Sequence, residues 1–256
     1  MKNKILVLSF SLLAFSSSQA LAVGYAQDGF VDAYADLSWD GLSVIGSGTV
    51  EAYDSYSYSQ AKTADYYNIF AQTALVDEYV DDSPVTSAES IIFAGGYEVA
   101  RSNGETAAEF ITSRSTVQLL PGSYGAYSAE ARAQQGVSYE VLTAGDFLFS
   151  IPYDLRVTVH DLNGDNTEAA DVQAWSWLSL WNGSEWSVID ATLRTAITAG
   201  SGSLSFTYVA EKGQFLKFEA GADSRVQLLN PVPVPPSVLM LLTGCTSLFF
   251  LKRRKS

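Results

Sequence analysis

Apolar residues that recur at every second position, in short runs broken by turn dipeptides, limit what this chain can build. Leu155, Val157 and Val159 alternate with Arg156, Thr158 and His160. Leu204, Phe206 and Tyr208 alternate with Ser203, Ser205 and Thr207, and Leu216, Phe218 and Ala220 interleave with Lys217 and Glu219. A period of two is what a sheet with one buried face produces. Asn103-Gly104 and Asn182-Gly183 are the strongest hairpin signals, because the favoured tight turns need positive φ at their central residues. Asp40-Gly41, Gly95-Gly96 and Lys212-Gly213 are weaker versions. Ser128 to Gln135 reads as a short helix or, through Ala129, Ala131 and Ala133, as a tightly packed strand. No repeat of fixed period appears, which argues against a solenoid or propeller. The expected fold is all-β, an antiparallel β-sandwich or jelly roll over residues 23–229.

The ends have a different composition. Residues 1–22 follow the order of a secretory signal peptide: Lys2 and Lys4, an apolar run from Ile5 to Phe15, and a small, polar finish ending Ala20-Leu21-Ala22. An 11-residue apolar run spans only about 16 Å, short of a bilayer core of about 30 Å, so signal peptidase cleavage after Ala22 is expected rather than a membrane anchor. After Asn230 come Pro231-Val232-Pro233-Val234-Pro235-Pro236, an apolar stretch to Leu251, and Lys252-Arg253-Arg254-Lys255. The prolines favour an extended spacer. The 16 residues from Pro236 to Leu251 reach about 24 Å as a helix, enough to span if the terminal cations snorkel. By the positive-inside rule the basic cluster stays in the cytoplasm and the acidic domain lies outside.

The formal charge of −13 averages these parts. Neither terminal segment holds an acid, so all 28 Asp and Glu and nine of the 15 Lys and Arg lie between them, a charge of −19. That excludes a basic nucleic-acid binder and fits an aqueous exterior. Cys245, the only cysteine, sits in the C-terminal apolar stretch and reads as a small hydrophobe. The exported domain therefore has to fold without a disulfide.

Val232-Pro233-Val234-Pro235, the apolar helix interrupted by Thr243-Gly244-Cys245, and the terminal Lys/Arg cluster together resemble the PEP-CTERM sorting signal of Gram-negative bacteria. Val234 stands where the usual form has Glu. The resemblance covers residues 230–256 and the paired signal peptide. It implies that an exosortase-type enzyme processes the tail at the inner membrane, and that the product goes to the cell surface or an extracellular polysaccharide matrix. Gly145 to Phe149 with Tyr153 to Leu155, Ala174 to Trp181 and Ser201 to Tyr208 more loosely resemble the non-catalytic β-rich ectodomains often found before such tails. Most such ectodomains have no assigned activity, so this likeness implies location more than mechanism. The expected role is structural or adhesive, with a carbohydrate-binding module using the Trp face as the alternative and a glycoside-active enzyme behind it.

Candidate chemistry is sparse. His160 is the only histidine, which excludes any site needing two, and alternation sets it on a polar face beside Arg156 and Thr158. There is no Gly-x-Ser-x-Gly elbow for a triad, and nothing singles out a catalytic pair among the carboxylates. Asp161, Asn163 and Asp165 have the spacing of a calcium loop. However, Asn166 replaces its sixth-position Gly and Val172 its twelfth-position Glu, so a plain turn is the simpler reading and no cofactor is expected. Trp175, Trp177 and Trp181 share one face of a strand whose other face carries Ala174, Leu178 and Leu180. The three tryptophans either lie in a core or form an exposed ladder that stacks on sugar rings; core is expected for at least two. Tyr56 and Tyr58 form a second aromatic pair, with Tyr53 opposite them by strand parity.

Overall fold

The computed structural model describes residues 29–66, 74–94, 97–119, 125–161, 168–196 and 199–230. These residues form strands and turns, with no helix among them. Both terminal segments lie outside the described residues: the leader, the Val232 to Pro235 motif, Cys245 and the Lys252 to Lys255 cluster. The same is true of Asn163 and Asp165.

Thirteen strands follow one another: β1 (Gly29–Ser38), β2 (Ser43–Gly46), β3 (Thr49–Asp65), β4 (Ala74–Asp81), β5 (Thr86–Ala94), β6 (Tyr97–Thr106), β7 (Phe110–Leu119), β8 (Gly125–Thr143), β9 (Gly145–Asp161), β10 (Glu168–Trp181), β11 (Trp186–Ala196), β12 (Gly200–Ala210) and β13 (Phe215–Asn230). The first sheet runs β12-β9-β1-β7-β6-β5, with β2 also paired to β9; the second runs β11-β10-β13-β8-β3-β4. Every pairing is antiparallel. The inner faces share one core, consistent with a β-sandwich.

Alternation decides which residues enter that core. Val31, Ala33, Ala35 and Leu37 of β1 are fully buried, while Phe30, Asp32, Tyr34 and Asp36 face outward. Leu204 and Phe206, and Leu216, Phe218 and Ala220, are buried as their spacing requires, and Phe149 stacks on Phe218 at 5.9 Å. Leu155 is buried but Val159 is 48% exposed, because the pattern in β9 outlasts the core beneath it. Ser128 to Gln135 lies in β8, and Ala129, Ala131 and Ala133 are buried, so the strand reading holds.

The core has a bulky end and a narrow one. Phe147, Phe149, Phe206, Phe218 and several leucines fill the former. At the latter, β6 and β7 present Ser102, Thr106, Ser113 and Ser115 toward Ser57, Ser59, Ala61 and Ala131. Hydroxyls there bond one another across the core: Thr63 Oγ1 to Ser90 Oγ at 2.7 Å and Ser115 Oγ to Ser224 Oγ at 3.0 Å.

The narrow end accounts for one failed expectation. Asn103-Gly104 is not a hairpin turn but lies inside β6. A β-carbon at Gly104 would collide with the Arg132 carbonyl of the opposite sheet, so its glycine is needed for close approach and not for a turn. Asn182-Gly183 does turn the β10–β11 hairpin, with Gly183 at φ +98°. The Asn182 side-chain oxygen accepts from the backbone N–H of Ser184 and of Glu185, both at 3.0 Å. Asp40-Gly41 and Lys212-Gly213 make turns, but they join strands that do not pair with each other. Gly95-Gly96 is outside the described residues; the strands on either side of it, β5 and β6, do pair.

Candidate functional site

The site begins with β10. Its inner residues Val172, Ala174 and Leu178 are fully buried under the first sheet. Alternation therefore sends Trp175, Trp177 and Trp181 to the outer face of the second sheet, together as expected. The expectation of core burial fails: Trp177 and Trp181 are 36% and 37% exposed. Trp175 is only 7% exposed, but other residues of the outer face cover it rather than the interior. Its ring lies 4.6 Å from that of Trp177, and the Arg132 guanidinium sits over it at 5.6 Å. Trp175 Nε1 donates to Asp223 Oδ2 at 2.9 Å, and Arg132 Nε donates to Asp223 Oδ1 at 2.7 Å. Trp175 is thus a fixed support, and Trp177 is the ring that solvent reaches.

The β10–β11 hairpin adds Trp186, opposite Trp181 in register, with ring centroids 5.5 Å apart. The sequence did not single out Trp186. A two-residue turn at Asn182-Gly183 would have set residue 181 opposite 184. The loop instead runs from Asn182 to Glu185, with the Asn182 N–H donating to the Glu185 carbonyl at 3.1 Å, and this sets 181 opposite 186. Lys217 of β13 links the tryptophans to a tyrosine cluster. Its ammonium lies 5.3 Å from the Trp186 ring centre and 5.9 Å from that of Tyr56, and 3.4 Å from the Glu219 carboxylate.

Tyr56 and Tyr58 share this outer face, as parity predicts. Tyr56 stacks on Tyr79 of β4 at 5.6 Å, donates its hydroxyl hydrogen to Glu219 and accepts from Gln134 Nε2 at 3.2 Å. Burial, with the Glu219 charge beside it, pushes the Tyr56 phenol well above its ordinary value. Tyr79 is pushed up to about 12, first by its hydrogen bond to Asp81. Both phenols therefore keep their protons at any physiological pH. Tyr53 departs from expectation. The β3–β8 register shifts between Ala52 and Asp54, and this bulge brings Tyr53 against Phe215, at 5.6 Å, on the aromatic side.

Two glycines let the rings lie low. A β-carbon at Gly221 would collide with the Trp175 ring, and one at Gly136 with the Tyr56 ring. The result is a packed aromatic layer laid on the outside of a sheet, fixed by hydrogen bonds and cations before any ligand arrives.

The remaining candidates do not join this layer. His160 is exposed on β9 opposite Phe30, as expected of a surface histidine. Asp161 ends β9, and the rest of its turn is not described. Among the described residues, no group of three or more His, Cys, Asp and Glu could hold a metal, and no helix is long and apolar enough to cross a membrane. No protein-family model, curated protein or solved structure matches the chain.

Proposed function

We propose that the chain is an exported surface or matrix protein without enzymatic activity, a β-sandwich of the jelly-roll kind that binds glycan on the aromatic outer face of its second sheet. The observation that carries this reading is the exposure of Trp177 and Trp181 beside the rings that brace them. Flat, rigid aromatic rings with solvent-facing area stack on the apolar C–H faces of pyranose rings, and such residues dominate the energetics of binding surfaces. This moves the carbohydrate-binding reading ahead of a purely structural one, and the two combine in an adhesive role toward extracellular polysaccharide. Tryptophan fluorescence titrated with polysaccharide from the producing organism tests it. Quenching or a spectral shift is expected, lost in Trp177→Ala; unchanged emission across a broad glycan panel would sink the reading.

Delivery rests on the ends of the chain. The leader over residues 1–22 supports export, and the Val232-Pro233-Val234-Pro235 motif with Lys252 to Lys255 supports transient anchoring and exosortase-type processing. Deleting Pro231 to Ser256 should abolish membrane retention and surface delivery. Unchanged localisation would overturn the sorting role while leaving the glycan reading intact.

A further inference from the structure

The aromatic layer occupies only part of the outer face. Beyond Trp175, the same strands carry Gln173, Asp223, Arg132 and Gln60 in one row. The next row holds Asp171, Arg225, Glu130 and Lys62. Between them lies a hollow of about 300 Å³, at the small end of ligand-sized pockets.

The charges in these two rows balance. Arg132 holds Asp223 at 2.7 Å, and Arg225 and Lys62 reach Glu130 at 3.1 and 3.8 Å. Lys217 holds Glu219, leaving Asp171 to match the fourth cation. In a middle segment of charge −19, the path from Trp177 to Asp171 along β10, β13 and β8 is bordered by four cations and four carboxylates, while the edge strand β4 adds Asp77 opposite Gln60 and Asp81 opposite Tyr56. The extra acids stand apart from that path on β4, and the path has no surplus cation for an acidic sugar. Its paired heads still present N–H groups and lone pairs to hydroxyls. Gln173 Nε2 donates to Asp171 Oδ2 at 3.0 Å, while Asp171 Oδ1 is buried without a partner. A buried acceptor without a donor is destabilising, which favours a ligand hydroxyl that donates to it.

We infer that this face takes an uncharged, extended polysaccharide chain lying along β10 and β13, stacked at the Trp177–Trp181 end and hydrogen-bonded at the Asp171–Arg225 end. The inference rests on the glycan-binding reading above and adds the ligand's charge class, direction and length. Trp181 and Asp171 are ten residues apart on one strand, a span of about 34 Å, or roughly six pyranose units.

The test is calorimetry of the full chain with linear, uncharged gluco-, manno- and xylo-oligosaccharides of graded length, and with oligouronates as charged controls. For a neutral series that binds, affinity should rise about tenfold or more from two units to six and then level off. It should also hold within about twofold between low and high salt. Arg225→Ala, at a well-exposed position, should weaken the six-unit ligand about fivefold and leave the two-unit ligand unchanged. Trp177→Ala should weaken both. Equal affinity for short and long ligands, or equal effects of Arg225→Ala on both, would overturn the extended site. A salt-sensitive preference for oligouronates would overturn the uncharged class but keep the glycan reading. No heat with any saccharide would overturn the glycan reading itself.

Discussion

The outer faces of the two sheets follow the same alternation and carry different chemistry. On the first, β1, β7 and β9 present ion pairs: Arg114 Nε with Asp32 at 2.9 Å, and Arg156 with Asp154. Tyr34 lies among them, with the Arg156 guanidinium 5.8 Å from its ring centre. On the second, β10 and β11 present four tryptophans, and β3 and β4 a tyrosine cluster. Exposed ion pairs on a solvated sheet contribute little and need no special account. Exposed tryptophans gathered on one face serve no core, and such patches mark binding surfaces. Packing dictates the inward residues of both sheets, so the difference between the two faces shows in the outward ones.

The largest effect should come from removing the exposed rings. Trp177→Ala with Trp181→Ala is expected to lower glycan affinity about a hundredfold or more, roughly 3 kcal/mol, while Tyr34→Ala on the first sheet leaves it unchanged. Affinity calorimetry of both variants checks this. Next is the bed beneath the layer: Gly221→Ala forces the Trp175 ring off the sheet and should cost about 1–3 kcal/mol in denaturant unfolding, with an altered tryptophan emission. Tyr56→Phe removes the donor to Glu219 and should cost about 1–2 kcal/mol, measured the same way.

The smallest effect belongs to the first sheet and has the opposite sign. Asp36 lies opposite Asp154 in the β1–β9 register. Burial, then the Asp154 charge, raises its carboxyl above the ordinary 3.8. The folded protein then holds this proton more tightly than the unfolded chain, so stability falls as pH rises from 3.8 through the raised value. Asp36→Asn should remove that loss and stabilise the protein by about 0.5 kcal/mol at neutral pH, with a flatter acid limb in thermal unfolding.

Alternation in Leu204 to Tyr208 and Leu216 to Ala220 exposed the strand architecture directly, because burial on one face leaves a period-two trace. It failed at Asn103-Gly104, where a turn dipeptide serves sheet-to-sheet approach, and at Tyr53, where a bulge resets parity. Neither close approach nor a bulge leaves a period in the sequence. The shared face of Trp175, Trp177 and Trp181 was legible, but its direction was not. Ala174 and Leu178 are small enough to suit either side, and only the opposing sheet shows which face is inward. Arg132, Lys217 and Glu219 were invisible as site residues, since they reach the aromatic layer from strands distant in sequence.

Whether glycan meets the outer face of the second sheet can be read from the five tryptophans separately. Trp39 packs toward the core, 6.3 Å from Phe218, whereas Trp177, Trp181 and Trp186 lie in the outer layer. Indole N–H resonances of ¹⁵N-labelled protein, titrated with the six-unit neutral oligosaccharide that binds, test this most directly. Binding on this face shifts Trp177, Trp181 and Trp186, saturating together, while Trp39 stays in place. Saturable movement of Trp39 with the outer-layer signals still would contradict binding there.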